Sequence, residues 1–147
     1  MGTYTQEWLY QQIVEKAADA IVFAGPDGII RLWNSGAEAI FGYSAEEALG
    51  QTLDLIVPEK MRERHWEGYR KVMETGVTKY GSDVLAVPAL KNDNSRLSVE
   101  FTIVLLKDDN GKPQGTAAIM RDMTERWQKE KELKKRLAEL EEREKKI

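Results

Sequence analysis

The apolar positions of this chain change period along its length. In residues 5–18, "TQEWLYQQIVEKAA", Trp8, Leu9, Ile13 and Ala17 recur at helical spacing behind Thr5, a good N-cap, which predicts a short amphipathic helix. Two apolar runs then flank Gly25-Pro26-Asp27-Gly28, and each of those four residues favours a tight turn. "AIVFAGPDGIIRLWN" therefore reads as a β-hairpin. Asn34 and Ser35 offer N-cap side chains, and Ser35 with Glu38 matches a capping box, so a short helix is expected through Phe41, stopping near Gly42. Ser44 with Glu47 repeats that signal for a second short helix ending at Gly50. Pro58 precedes a longer helix, predicted from about Glu59 to Glu74 and closed by Gly76.

Beyond Gly76 the period falls to two. "KYGSDVLAVPAL" predicts a strand in which Pro88 must lie where no ladder donor is needed. "SRLSVEFTIVLL" is a stronger strand, with Leu97, Val99, Phe101, Ile103 and Leu105 on one face. Asn92-Asp93-Asn94 joins these two, and "DDNGKP" at 108–113 joins the second to a last strand, "GTAAIMRD". Hairpins on either side of a helical insert predict an α+β domain: one antiparallel sheet with helices on one face. The chain divides into an N-terminal amphipathic helix (1–18), a central domain (19–123) and a C-terminal helix (124–147).

That last segment changes the picture most. From Thr124 onward 16 of 24 residues are charged, yet Leu133, Leu137, Leu140 and Ile147 fall on a heptad seam, with Glu144 in the remaining seam position. A helix this polar has little reason to persist alone, so a coiled coil and a homodimer through the N- and C-terminal helices are expected. Leucines that merely patch the domain are the alternative.

Composition narrows the chemistry. A net charge of −3 offers no basic footprint for nucleic acid. No apolar run is long enough to span a bilayer and no signal-peptide pattern opens the chain, so a cytoplasmic protein is expected. The absence of cysteine removes disulfides, thiolate nucleophiles, zinc–thiolate sites, iron–sulfur clusters and flavin–cysteine photochemistry together. No phosphate-binding, metalloprotease, hydrolase or kinase motif is present, so an enzyme is not expected. Trp33 reads as packing, and Met120 and Met123 as gap-fillers near the sheet end.

The order of elements, with the strings "GPDGIIRLWN", "AEAIFGYSAEEALG", "KNDNSRLSVEF" and "RDMTE", resembles the PAS sensor family. Asn34, Phe41, Gly42, Tyr43, Ser44, Glu47 and Gly50 carry much of that likeness, as does the junction Asp122-x-Thr124. The resemblance spans about Ala18 to Glu125. It implies a PAS fold, with a five-stranded sheet cupping a pocket against the inner helices and a signal leaving through the C-terminal helix to a downstream output domain. Asp122 can cap that exit helix, with Glu125 as reciprocal partner, which would make the joint stiff.

The one histidine lies in "RERHWEGYRKV". Met61, His65, Gly68 and Val72 share a helical face, while the charges point elsewhere, so His65 is expected to look into the pocket. Gly68 would leave room for a flat ligand, and Leu85, Val87, Phe101, Ile103 and Ile119 are expected on the opposite wall. A neutral imidazole facing an apolar slot suits a heme iron ligand. Arg64, His65 and Tyr69 also resemble the pattern of heme-based oxygen-sensing PAS domains of nitrogen-fixation kinases, which implies heme with His65 as the metal ligand. Those sensors place an arginine where this chain has Leu85, so carbon monoxide, nitric oxide or redox sensing are equally open. An empty pocket, a small metabolite, or a ligand-free dimerisation and relay module are the alternatives.

Overall fold

A computed structural model describes residues 3–78 and 83–146. Helix α1 (Gln6–Lys16) is capped by Thr5, whose side chain accepts from the Trp8 backbone. Strands β1 (Ala20–Ala24) and β2 (Ile30–Trp33) form the expected hairpin. Short helices α2 (Ser35–Phe41) and α3 (Ala45–Ala48) follow, then two 3-10 turns at Leu53–Leu55 and Glu59–Met61. Helix α4 (Arg62–Thr75) leads to β3 (Leu85–Leu90), β4 (Arg96–Lys107), β5 (Pro113–Asp122) and the exit helix α5 (Thr124–Lys145). Lys79 to Ser82, the start of the strand expected from "KYGSDVLAVPAL", and Ile147, the last seam position, lie outside the described residues.

The five strands form one antiparallel sheet in the order β2-β1-β5-β4-β3. Because β3 is an edge, Pro88 is tolerated there without its missing N–H costing a ladder bond. One face carries the core. Ala20 and Val22 of β1, Met120 of β5, Leu97 and Val99 of β4 and Ala89 of β3 pack with Trp33, Phe41, Ala37 and Ile56. Trp33 sits 5.5 Å from Phe41 between ring centroids and donates its indole N–H to the Tyr43 carbonyl at 2.9 Å. It is a core residue, as is Met120.

The helix ends follow the sequence with two amendments. Ser44 and Glu47 form a complete capping box, and Gly42 and Gly76 close α2 and α4 in the left-handed region, with φ of 83° and 70°. Ser35, however, is already inside α2. Asn34 is the cap, and the Glu38 carboxylate reaches forward to the Ala45 N–H instead of completing a box. The long helix begins at Arg62, because Glu59–Met61 wind as a 3-10 turn behind Pro58.

Asn34 does more than cap. Only 3% exposed, it accepts from the N–H groups of Ile21 (2.8 Å) and Ala37 (2.9 Å), and its amide donates to the carbonyls of Val14 (2.8 Å) and Asp19 (3.0 Å). With a longer contact to the Ala17 carbonyl at 3.4 Å, one side chain thus ties α1, β1 and α2 together and reaches five backbone groups.

Candidate functional site

Helix α4 is fixed over the sheet by three side chains. Tyr69 is buried, and its hydroxyl donates toward the Gly25 carbonyl at 2.6 Å and the Ala24 carbonyl at 3.1 Å, at the end of β1. Burial raises its pKa. Trp66 donates its indole N–H to the Asp54 carboxylate at 2.7 Å, and Arg62 donates to the carbonyls of Val57 (3.0 Å) and Asp54 (3.2 Å). The Trp66 ring lies against Gly28, where an added Cβ would stand 2.2 Å from ring carbons and where φ is +76°. Two independent constraints therefore require glycine at that position.

His65 sits on the same helix, with ring centroids 4.8 Å from Trp66 and 5.9 Å from Tyr69. Its Nδ1 is buried and has no hydrogen-bond partner among the described residues. Burial lowers its pKa below the ordinary 6.5, opposed by the nearby Asp54 charge, so the imidazole is held neutral at physiological pH.

The inward stripe of α4 is rotated from the expected one. Met61 is 40% exposed, and Gly68 is exposed, with open space where a Cβ would be. Tyr69 is the one buried residue of α4, and Arg62, His65, Trp66, Val72 and Met73 are all partly buried, so the inward face is centred between the expected stripe and its neighbour. The anchors responsible, Asp54 and the β1 carbonyls, are remote in sequence.

On the sheet, register puts Leu85 opposite Phe101, Val87 opposite Val99 and Ile103 opposite Ala118, all on the core-bearing face. Leu85, Val87, Phe101 and Ile103 share that face, with Val87 37% exposed at the edge strand. Ile119 does not. The core residues Ala20 and Val22 pair with Met120 and Ala118, so strand alternation sends Ile119 to the opposite face, between Ile21 and Thr102 and 38% exposed.

At the junction the Asp122 carboxylate accepts from the Thr124 N–H at 2.9 Å. The expected capping box does not form: the N-cap position is Met123, with no side-chain cap bond, and Glu125 pairs with Lys129 at 3.0 Å instead of reaching back. Ser98, which the sequence did not mark, completes the joint. Its N–H donates to the Thr124 hydroxyl at 2.9 Å, and its carbonyl accepts from the Met123 N–H at 2.7 Å. Leu133, Leu137 and Leu140 are all exposed on α5.

His65 thus offers an imidazole with its Nδ1 buried and without a partner among the described residues, beside the rings of Trp66 and Tyr69. Two open pockets lie away from His65. One, of about 400 Å³, is lined by Thr3, Tyr4, Thr5 and Trp8; the other, of about 220 Å³, lies where Met123, Arg126, Trp127 and Glu130 meet Ala86, Ser98, Val99 and Glu100. Among the described residues no group of three or more His, Cys, Asp or Glu side chains could hold a metal ion, and no helix is long and apolar enough to cross a membrane.

A family model described as the PAS fold matches residues 14–128. The sensor protein FixL of Bradyrhizobium diazoefficiens is 29% identical over 139 residues, 92% of this chain and 26% of FixL. The oxygen sensor protein DosP of Escherichia coli is 27% identical over 74 residues, 50% of this chain and 9% of DosP. The chain thus spans about a quarter or less of these relatives' length. Among solved structures, the PAS domain of a protein from Colwellia psychrerythraea superposes with a TM-score of 0.69 at 26% identity, covering 80% of this chain and 96% of that one.

Proposed function

We propose, from the premise that this chain belongs to the PAS-fold family, that it is the sensory module of a larger signalling protein. It takes up a ligand beside α4 and passes the change through the Asp122–Thr124 joint to α5 and an output domain beyond it. It performs no catalysis of its own. The observation that carries this reading is the buried, partnerless Nδ1 of a neutral His65. Such a group is costly to keep unless something else uses the ring.

Heme held by His65 is the version this donor supports best, and the likeness to proteins named FixL and an oxygen sensor points the same way. When bound, heme supplies an iron centre that responds to a diatomic gas or to redox state. Val72, Leu85, Phe101 and Ile103 would form its apolar surroundings. Leu85 offers no charged donor, so selectivity for oxygen would have to come from another residue.

The joint of Ser98 with Met123 and Thr124, which needs no ligand, favours a second reading: a ligand-free relay. Absorption spectra after hemin addition and removal of the excess, for the wild type and His65→Ala, separate the two. A stoichiometric Soret band that shifts or disappears in the variant supports iron ligation by His65. Equal, nonspecific absorbance in both proteins discards it and leaves the relay.

A further inference from the structure

We propose that the roots of α1 and α5 are coupled, across the sheet face opposite the core, by a row of alternating charges formed by Asp19, Arg121, Glu100 and Arg126. A displacement of α1 then changes how firmly α5 is held. This makes α1 a second input; it rests on the relay reading only in taking α5 as the output arm, and it needs no ligand at His65.

Neither helix buries a residue, so each is held chiefly at its root. The root of α1 is rigid. Asn34 donates to the carbonyls of Val14, Ala17 and Asp19, and Gly36 packs so closely on Asp19 that an added Cβ would stand 2.1 Å from its carbonyl oxygen. From that fixed backbone the Asp19 carboxylate accepts from both Nε and Nη2 of Arg121, at 3.2 Å each. A two-pronged pair of this kind fixes orientation as well as distance.

Arg121 immediately precedes Asp122, whose carboxylate takes the Thr124 N–H. Register sets Arg121 opposite Glu100 on β4. Because Phe101 and Met120 occupy the core-bearing face, Arg121 and Glu100 share the other one as a cross-strand pair of opposite charge. Both carboxylates hold up the Arg121 pKa, Asp19 by hydrogen bond and charge and Glu100 by charge. Glu100 in turn lines the pocket under α5 together with Ser98, Arg126 and Trp127, and Arg126 pairs onward with Glu130 at 3.3 Å. The row therefore runs from the end of α1 to the side of Ser98, the residue that bonds Met123 and Thr124. Arg121, between Asp19 and Glu100, is the positioning residue common to both helices.

Amide hydrogen exchange of the full chain tests the coupling. The N–H groups of Ser98 and Met123 report the hold on α5, and that of Ala17, bonded to the Ile13 carbonyl, reports the root of α1. Asp19→Asn and Arg121→Gln should each speed exchange at Ser98 and Met123 about threefold, with no further gain in the double variant, and about 0.5 M sodium chloride should bring the wild type to the same rates. Linkage demands the reverse effect. Thr124→Val, which deletes the hydroxyl that accepts from Ser98, should speed exchange at Ala17, and should do so no longer in the Asp19→Asn background. Arg31→Gln, which removes the exposed pair with Asp27 away from the row, should leave Ser98 and Met123 unchanged. Rates at Ser98 and Met123 unaltered by Asp19→Asn, rates at Ala17 unaltered by Thr124→Val, or a rise equal to that at Val22 in the sheet core would each overturn the proposal. These amides read the coupling without any output activity, so the result stands apart from the success or failure of the sensory reading.

Discussion

Asn34 and His65 are both polar side chains drawn away from water. Asn34 spends its amide on five backbone groups in and around three different elements, whereas the Nδ1 of His65 meets none among the described residues. The difference separates a polar residue kept for the fold from one kept at the fold's expense. A satisfied buried amide specifies how elements meet, and its removal strands every partner it served. A ring nitrogen without a partner contributes nothing to that specification, and the ligand role proposed above would give it a use.

The contrast can be broken most severely at Asn34. Replacement by leucine keeps the volume but leaves the N–H groups of Ile21 and Ala37 and the carbonyls of Val14 and Asp19 without partners. Urea denaturation should show a loss of about 3 kcal/mol. A loss well under 1 kcal/mol would mean that water substitutes for the amide.

Tyr69 provides an intermediate case on the same helix as His65. Tyr69→Phe deletes only the hydroxyl that reaches Gly25 and Ala24, and should cost about 1 kcal/mol by the same measurement.

His65 should show the smallest effect and the most telling sign. Its pKa is lowered on folding, so below its ordinary value the unfolded chain binds the proton and the folded one resists it. The wild type should lose stability as pH falls from about 7.5 to 5.5, and His65→Leu should remove that part of the pH dependence while being neutral or slightly stabilising at pH 7.5. A variant clearly less stable at pH 7.5, with its pH dependence unchanged, would make His65 an ordinary packing residue.

Much of the fold was legible because its signals are local. The Gly25–Gly28 turn, the Ser44–Glu47 box and the glycines that end α2 and α4 each act within a few residues. What escaped were phases. In "GTAAIMRD" both strand faces carry apolar residues, so only the pairing of Ala20 with Met120 decides that Ile119 points away from the core. The rotation of α4 is likewise set by Asp54 and Gly28, which lie 12 and 38 positions before Trp66 and carry no periodic signature. Asn34 was visible as a cap but not as a hub, since Val14 and Asp19 accept through backbone atoms that any sequence would offer.

Ser98 binds the root of α5 from both sides, giving its N–H to Thr124 and taking the N–H of Met123. A rod held at one end by two bonds to a single residue swings more readily than it slides. With 22 residues, α5 is a lever about 33 Å long, so a tilt of about 10° at Ser98 carries its far end about 6 Å. In the relay proposed above, strand β4 would work as a gear: a displacement too small to disturb the sheet would be magnified to the width of a side chain at the end of the arm.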